Sequence, residues 1–528
     1  MTIASLYDAF AEASADTPDL DFLATTPSCG GTVLTYGEAA ARVEALSARY
    51  RACGWGAGHR IALNLGSQPL HFLHFLALNR LGASIVPMNP DHRAAEIRYQ
   101  LGHAAADLVV ATAAAAAIVG PALAAGGPPV ALADDMDLPQ APPAPRANPP
   151  GQQAEALILY TSGTSGAPKG CVLTNEYVLT VGRWYRDLGG LFTMRRGEER
   201  LLNPLPAFHM NCGVTSVTTA ILTRNCLILP DRFHASTWWQ DVAGSRATAI
   251  HYLGIMPPAL LKQPPGPWDR AHRVRFGLGA GCDPTLHAAF EERFGLPLVE
   301  VWGMTETGRF LANNFEPRQT DTRAFGRQSG ALEAMVADDE GRPVPDGTPG
   351  ELLVRCAGPD PRRGFFRCYL DNPEATAEAW RGGWFHTGDV VRRDRTGMFY
   401  FVDRRKDMIR RSGENISASE VEAVLAAHPA VARVAVLAVK DEMRDEEVMA
   451  CVVPAPGAAA SAETAAALVT HALAQLAYYK APGWIAFRDE LPVTSTNKIQ
   501  KNRIFDGQGD PRERAIDCRD LKKRKLAS

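Results

Sequence analysis

From residue 60 onward the chain alternates apolar, strand-like runs with helix-like segments, and this alternation constrains the fold more than any single motif. Residues 60–66 (RIALNLG), 69–82 (PLHFLHFLALNRLG) and 83–88 (ASIVPM) set the beat. Short apolar runs bounded by turn residues read as buried strands, and a longer apolar segment opened by proline reads as a helix. Further runs at 156–163 (ALILYTSG), 225–230 (NCLILP), 247–254 (ATAIHYLG) and 274–281 (VRFGLGAG) each end in turn residues. Beyond the last of them, Asp283 and Pro284 supply a helix cap and a proline at the first helical position. The pattern predicts an α/β fold, with a large N-terminal domain, 1–402, built on mostly parallel, helix-covered sheets. Residues 104–153, rich in alanine and proline, read as a surface connection without chemistry of its own.

A chain of 528 residues exceeds one compact core, so a second domain is expected. It begins at 403, where the charged run DRRKD separates strands at 397–402 and 408–411. A helix at 417–428, strands at 431–439 and 448–453, a second helix at 462–479 and a strand at 483–492 make 403–528 a small C-terminal α+β domain. The basic end, LKKRKLAS, reads as a solvated, frayed segment.

Composition narrows the function classes. With 46% hydrophobic residues, 21% charged and a formal net charge of −3, the chain is neither a disordered polymer nor a polyanion binder, so nucleic acid is not expected as a partner. Ten scattered cysteines without a C-x-x-C pair fit a reduced, cytoplasmic protein. No run approaches the ~18 apolar residues of a membrane span. The histidines of HFLH lack H-E-x-x-H spacing and are expected to be satisfied inside their helix.

Residues 160–170, YTSGTSGAPKG, pack glycines and hydroxyls ahead of a single lysine, as a phosphate-gripping loop does. The G-x-x-x-x-G-K-[ST] pattern fails on it: counted from Gly163, Pro168 takes the second glycine's place and Gly170 that of the magnesium-binding hydroxyl. A dinucleotide fingerprint fails as well, because neither this loop nor 277–281 (GLGAG) has G-x-G-x-x-G spacing. Taken alone, the loop is as compatible with a plain turn as with a phosphate site.

Read with four other segments, the loop resembles the signature of the adenylate-forming superfamily, which includes acyl-CoA synthetases, luciferases and peptide-synthetase adenylation domains. VWGMTETG (301–308), TGD (387–389), DRRKDMIRRSGENIS (403–417) and PVTSTNKIQK (492–501) follow in the family's order and span nearly the whole chain. The wording AFHMNC and FVDRRKDMIRRSGENIS is most similar to the carnitine/crotonobetaine:CoA ligase branch. The resemblance implies an ATP-dependent carboxylic acid:CoA ligase that forms an acyl-adenylate, releases pyrophosphate and then makes the thioester, using ATP, Mg²⁺ and coenzyme A on a small or medium carboxylic acid. It implies that Thr161, Ser162, Gly163, Thr164 and Lys169 grip the β- and γ-phosphates. Trp302 stands where the family carries a tyrosine against adenine, with Gly279, Ala280 and Gly281 on the adenine side. Thr305 would contact the α-phosphate and Glu306 would hold Mg²⁺; Asp389 and Arg404 would hold the ribose. Lys498 would stabilise the charge of the first attack, His209 would border the acyl pocket, Lys406 would be the hinge of a rotating small domain, and Gly413 would line the pantetheine tunnel.

Two alternatives stand beside this one. A carrier protein's pantetheine arm could replace CoA as acceptor, and a non-catalytic ATP-binding pseudoenzyme would be expected to have lost Lys498 or Glu306, both of which are present. A monomer and a dimer are equally compatible with the sequence.

Overall fold

The computed structural model describes all residues except 1–2, 124–125, 136, 162–167, 255, 339, 405–407, 493–498, 500, 502–503, 506–508 and 523–528. Of residues 403, 404, 408, 415, 417, 419 and 423 it describes the backbone. Ser162, Gly163, Thr164, Lys406 and Lys498 therefore lie outside the described residues.

The predicted alternation forms two sheets. In one, Arg60–Asn64, Ser84–Pro87, Leu108–Ala111, Val130–Leu132 and Glu155–Thr161 run parallel, with Lys169–Thr174 and Cys368–Tyr369 added antiparallel at one edge. In the other, Asp21–Thr25, Cys226–Leu229, Arg200–Leu202, Ala249–Leu253, Phe276–Ala280 and Leu298–Gly303 run parallel. That sheet continues into six antiparallel strands, of which only the one at 397–402 is expected from the sequence, from Phe310–Ala312 through Phe385–Arg393 and Met398–Arg404 to the edge strand Leu332–Ala337.

Between the sheets lies Pro69–Arg80, buried at every residue from His71 to Asn79, as a helix apolar on all sides must be. Burial takes the imidazoles of His71 and His74 down to about 4 and about 3, so both are neutral, and His74 Nδ1 meets the Tyr50 hydroxyl at 2.7 Å. These two helix histidines sit in the core but are not both satisfied within their helix as expected: His74 Nε2 has no hydrogen-bond partner among the described residues, and Tyr50 lies on another helix. The cap at Asp283 also forms: its carboxylate accepts the Thr285 N–H at 2.9 Å, and Pro284–Phe294 follows.

Two readings are corrected. Residues 104–153 are not one surface connection: they contain the buried strand Leu108–Ala111, the helix Ala113–Ala122 and the strand Val130–Leu132. Alanine has no periodic contrast of its own, so its run concealed a good helix former. Of the basic end, 523–528 lie outside the described residues, but the chain just before it and Lys522 within it are packed rather than frayed. Ile516–Asp517 pairs with Trp484–Phe487, and Lys522 is buried with its ammonium donating to Glu447 at 2.5 Å. Glu447, itself fully buried, also accepts from Arg411 at 2.8 Å, and burial, with the Arg411 guanidinium beside it, pushes Lys522 down to about 7, so one carboxylate does not fully offset two buried basic groups.

The small domain is a five-strand path, 414–417, 408–411, 445–454, 484–487 and 516–517, with 431–441 paired along 445–454. Ala418–Ala426 and Ala462–Gln475 cover one face with Val421, Leu425, Leu468 and Val469.

Candidate active site

A cleft of about 2010 Å³ separates the large domain from the small one and takes walls from both. It is larger than the ~300–1,000 Å³ that holds one small ligand, so it has room for a nucleotide, an acyl group and a third reactant.

At one wall, strands Glu155–Thr161 and Lys169–Thr174 pair so that Thr161 faces Lys169 across the base of the glycine-rich loop. The Lys169 ammonium lies 4.7 Å from the centre of the Tyr369 ring, and the Tyr369 hydroxyl donates to Glu306 Oε1 at 2.9 Å. Burial raises the Glu306 carboxylate above its usual range despite that hydrogen bond. A desolvated carboxylate gains from an arriving cation. One such group suits Mg²⁺ carried in with phosphates, which needs one or two protein carboxylates rather than a full cage. Thr305 is fixed through its carbonyl, which accepts from the Tyr177 hydroxyl at 2.6 Å.

Trp302 and Asp389 meet directly. The indole Nε1–H donates to Asp389 Oδ2 at 2.8 Å, and both residues are buried at the cleft wall. Asp389 stands opposite Arg404 in the ladder of Phe385–Arg393 and Met398–Arg404, which brings the two predicted ribose positions together at backbone level. The tryptophan in place of tyrosine thus gains a bond to a second site residue.

The Gly279–Ala280–Gly281 segment also lines the cleft, held by a residue that no motif flagged for this role. Glu300 accepts the Gly281 N–H at 2.8 Å on Oε2, and the Cys282 N–H at 3.1 Å and the Tyr252 hydroxyl at 2.5 Å on Oε1. A Cβ on Gly279 would lie 2.3 Å from the Tyr252 carbonyl, so the close passage requires glycine.

His209 faces the small domain, its Nε2 3.3 Å from Glu414 Oε2. Directly after it, Asn211–Ser216 forms a π-helical turn, a distortion frequent at functional sites. Glu414 follows the hairpin turn Ser412–Gly413, whose residues have φ of 52° and 84°, the left-handed pair that a two-residue hairpin turn requires. Gly413 abuts the large domain: a Cβ there would lie 2.0 Å from Leu253 Cδ1.

The described site residues thus converge on one cleft, with the antiparallel extension supplying Asp389 and the parallel strands supplying Gly279, Ala280, Gly281 and Trp302. The AMP-binding enzyme family matches residues 10–370, and the AMP-binding enzyme C-terminal domain matches residues 420–498. The chain belongs to this AMP-binding enzyme family.

Its relatives in the family narrow the chemistry. A sulfoacetate–CoA ligase of Cupriavidus necator is 32% identical over 512 residues, covering 93% of this chain and 96% of the relative. A crotonobetaine/carnitine–CoA ligase of Escherichia coli is 35% identical over 356 residues, 66% of each protein. The o-succinylbenzoate CoA synthetase of Bacillus subtilis, 23% identical, has the same fold with a TM-score of 0.82 over 95% of this chain and 99% of that one. This AMP-binding enzyme is accordingly an ATP-dependent, AMP-forming acid–CoA ligase. Among the described residues, no helix is long and apolar enough to cross a membrane.

Several positions in the cleft were not visible as motifs. Tyr369 reaches Glu306 from 63 residues away, and Lys480 donates to Glu96 from 384 residues away. Such pairings are set by sheet order and domain docking. Lys480, itself buried, donates at 2.9 Å both to Glu96 of the large domain and to Glu420 of the small one. Burial opposes its charge, but the two carboxylates more than offset that and hold its pKa above the usual lysine value. Beside it, the Tyr479 hydroxyl accepts from Asn89 at 3.0 Å.

Proposed function

We propose that this enzyme activates a small or medium carboxylic acid in the cleft and passes the acyl group to CoA, with the residues above in the roles that the family resemblance assigns them. The carrying observation is the joining of Lys169, Glu306, Trp302 and Asp389 in one cleft that also admits Gly413 and Glu414 of the small domain. A carboxylate is a poor acyl donor because its leaving group is poor. Attack of its oxygen on the α-phosphorus of ATP breaks the bond to pyrophosphate and leaves AMP as a better leaving group. Thr161 and Lys169, with Ser162, Gly163 and Thr164, would hold the phosphates that depart. Bound Mg²⁺ would supply charge neutralisation to those phosphates, with Glu306 as its protein ligand. Trp302, Asp389 and Arg404 would fix the nucleoside while Thr305 faces the α-phosphate, and Lys498 would offset the charge that grows there. A thiolate then attacks the acyl carbon and AMP leaves.

The placement of Gly413 against Leu253, and of Glu414 against His209, supports assigning this orientation of the small domain to the second step. The boundary at 402/403 falls between the two family matches, and Lys406 is the proposed hinge. Ten unpaired cysteines, most of them buried, support a reduced cytoplasmic setting.

If the Lys480 pairs hold this orientation, Lys480→Met removes the buried cation that bridges Glu96 and Glu420 across the two domains, a loss of roughly 3 kcal/mol to the docked state. The expected result is thioester formation from supplied acyl-adenylate slowed at least about tenfold, with adenylation changed less than about threefold. Stopped-flow assay of each half-reaction checks it, and equal slowing of both would refute a role of the Lys480 pairs in holding this orientation.

The ligase reading itself is tested with a panel of carboxylic acids, ATP and Mg²⁺, following pyrophosphate with and without CoA and identifying the product by mass. Pyrophosphate, AMP and a CoA thioester are expected. Release of ADP, or a product indifferent to CoA, would sink it.

A further inference from the structure

The orientation of the Asn211 amide can be derived without seeing its hydrogens. The Leu205 N–H donates to Asn203 Oδ1 at 2.9 Å, which makes the other terminal atom of Asn203 its nitrogen. That nitrogen donates at 2.8 Å to Ser216 Oγ and at 2.8 Å to Asn211, so the Asn211 atom facing it is the carbonyl oxygen. The same oxygen lies 2.7 Å from His251 Nδ1. Burial takes His251 down to about 3, so the ring is neutral and carries one proton. With Oδ1 as acceptor, that proton sits on Nδ1, and Nε2 accepts from the Tyr185 hydroxyl at 3.3 Å. Every polar atom of this chain of contacts is thereby assigned. The Asn211 carbonyl points inward with two donors on it, and its Nδ2 amide group has no acceptor among the described residues. Asn211 is partly exposed, and it lines the cleft on the same turn as His209.

We infer that Asn211 selects the acid: it presents amide N–H donors to the acyl end of the cleft, matching an acid whose remote end carries an oxygen acceptor. A second carboxylate, a sulfonate or a keto oxygen fits this donor, whereas an ammonium-bearing or purely hydrocarbon chain leaves it unpaired or repelled. Glu300, on the same cleft wall, is engaged in holding the Gly281 segment: its Oε1 accepts from the Tyr252 hydroxyl and the Cys282 N–H, and its Oε2 from the Gly281 N–H. Sites built to hydrogen-bond a substrate group discriminate strongly against analogues that lack it, because the buried partner is then left unsatisfied.

The inference rests on the ligase reading and is tested on the full-length enzyme with matched short acids: malonate and sulfoacetate as anionic acceptors, 3-oxobutanoate as a neutral one, butanoate as hydrocarbon, and a trimethylammonium acid. The wild type is expected to favour the acceptor-bearing acids over butanoate by at least about tenfold in kcat/KM, and Asn211→Asp, which keeps an oxygen for the His251 and Asn203 donors but removes the outward N–H groups, to cut that ratio by about 10–100-fold. Asn211→Asp, nearly isosteric, is expected to lose malonate and sulfoacetate more than 3-oxobutanoate and to gain on the trimethylammonium acid. Preference of the wild type for butanoate or the cationic acid, or an equal change for all acids in Asn211→Asp, would overturn the assignment. If no acid in this or the wider panel releases pyrophosphate, the ligase reading fails, and this inference with it.

Discussion

Lys498→Ala is expected to slow acyl-adenylate formation by about 10²–10³-fold while thioester formation from supplied acyl-adenylate stays within about threefold. In the first half-reaction negative charge accumulates on the α-phosphate oxygens as carboxylate and pyrophosphate share the phosphorus. A fixed cation there acts on the transition state more than on bound ATP. In the second half-reaction the charge develops on the acyl carbonyl oxygen as sulfur adds. The small-domain orientation described above brings Gly413 and Glu414 to the cleft, while Ile499 packs with Met449, Cys451 and Trp484 of the small domain and Lys501 pairs with Glu422 at 2.8 Å. Separate assays of the half-reactions measure both numbers. Equal loss of both would remove Lys498 from the proposed role.

The converse result is expected of Gly413→Val. Two independent obstacles meet at this position. Its φ of 84° costs an L-residue about 1–2 kcal/mol, and a Cβ would stand 2.0 Å from Leu253 Cδ1, where an ordinary carbon contact is about 3.5–4.0 Å. Either the Leu253 side chain must swing aside or the hairpin must shift, and the opening for a thiol arm narrows by a branched side chain. Thioester formation should fall by at least about 10²-fold, since a misplacement of about 1 Å is enough for that, with adenylation retained. The measurement is single-turnover conversion of acyl-adenylate with CoA. Unimpaired transfer would show that this hairpin does not line the thiol's path.

What the sequence revealed depended on range. Trp302, Thr305 and Glu306 lie within five residues, and the strands that carry Asp389 and Arg404 form one hairpin, so local wording announced them. Tyr369, Lys480 with Glu96, and the string from Asn203 through Asn211 and His251 to Tyr185 assemble only after distant strands and domains pack. Composition misled where chemistry was uniform: the alanine run at 113–117 hid a helix, and the charged end hid a lysine inserted beside a buried carboxylate. Apart from the one at 397–402, the six antiparallel strands gave no clear beat, yet they supply Asp389.

The bond between Trp302 and Asp389 joins a flat aromatic face to a carboxylate as one rigid unit. On the proposed roles, base and sugar are then measured against a single gauge whose two halves cannot drift apart. A nucleotide altered at either part would be judged on the whole nucleoside, and changing the indole would disturb sugar recognition as well as stacking.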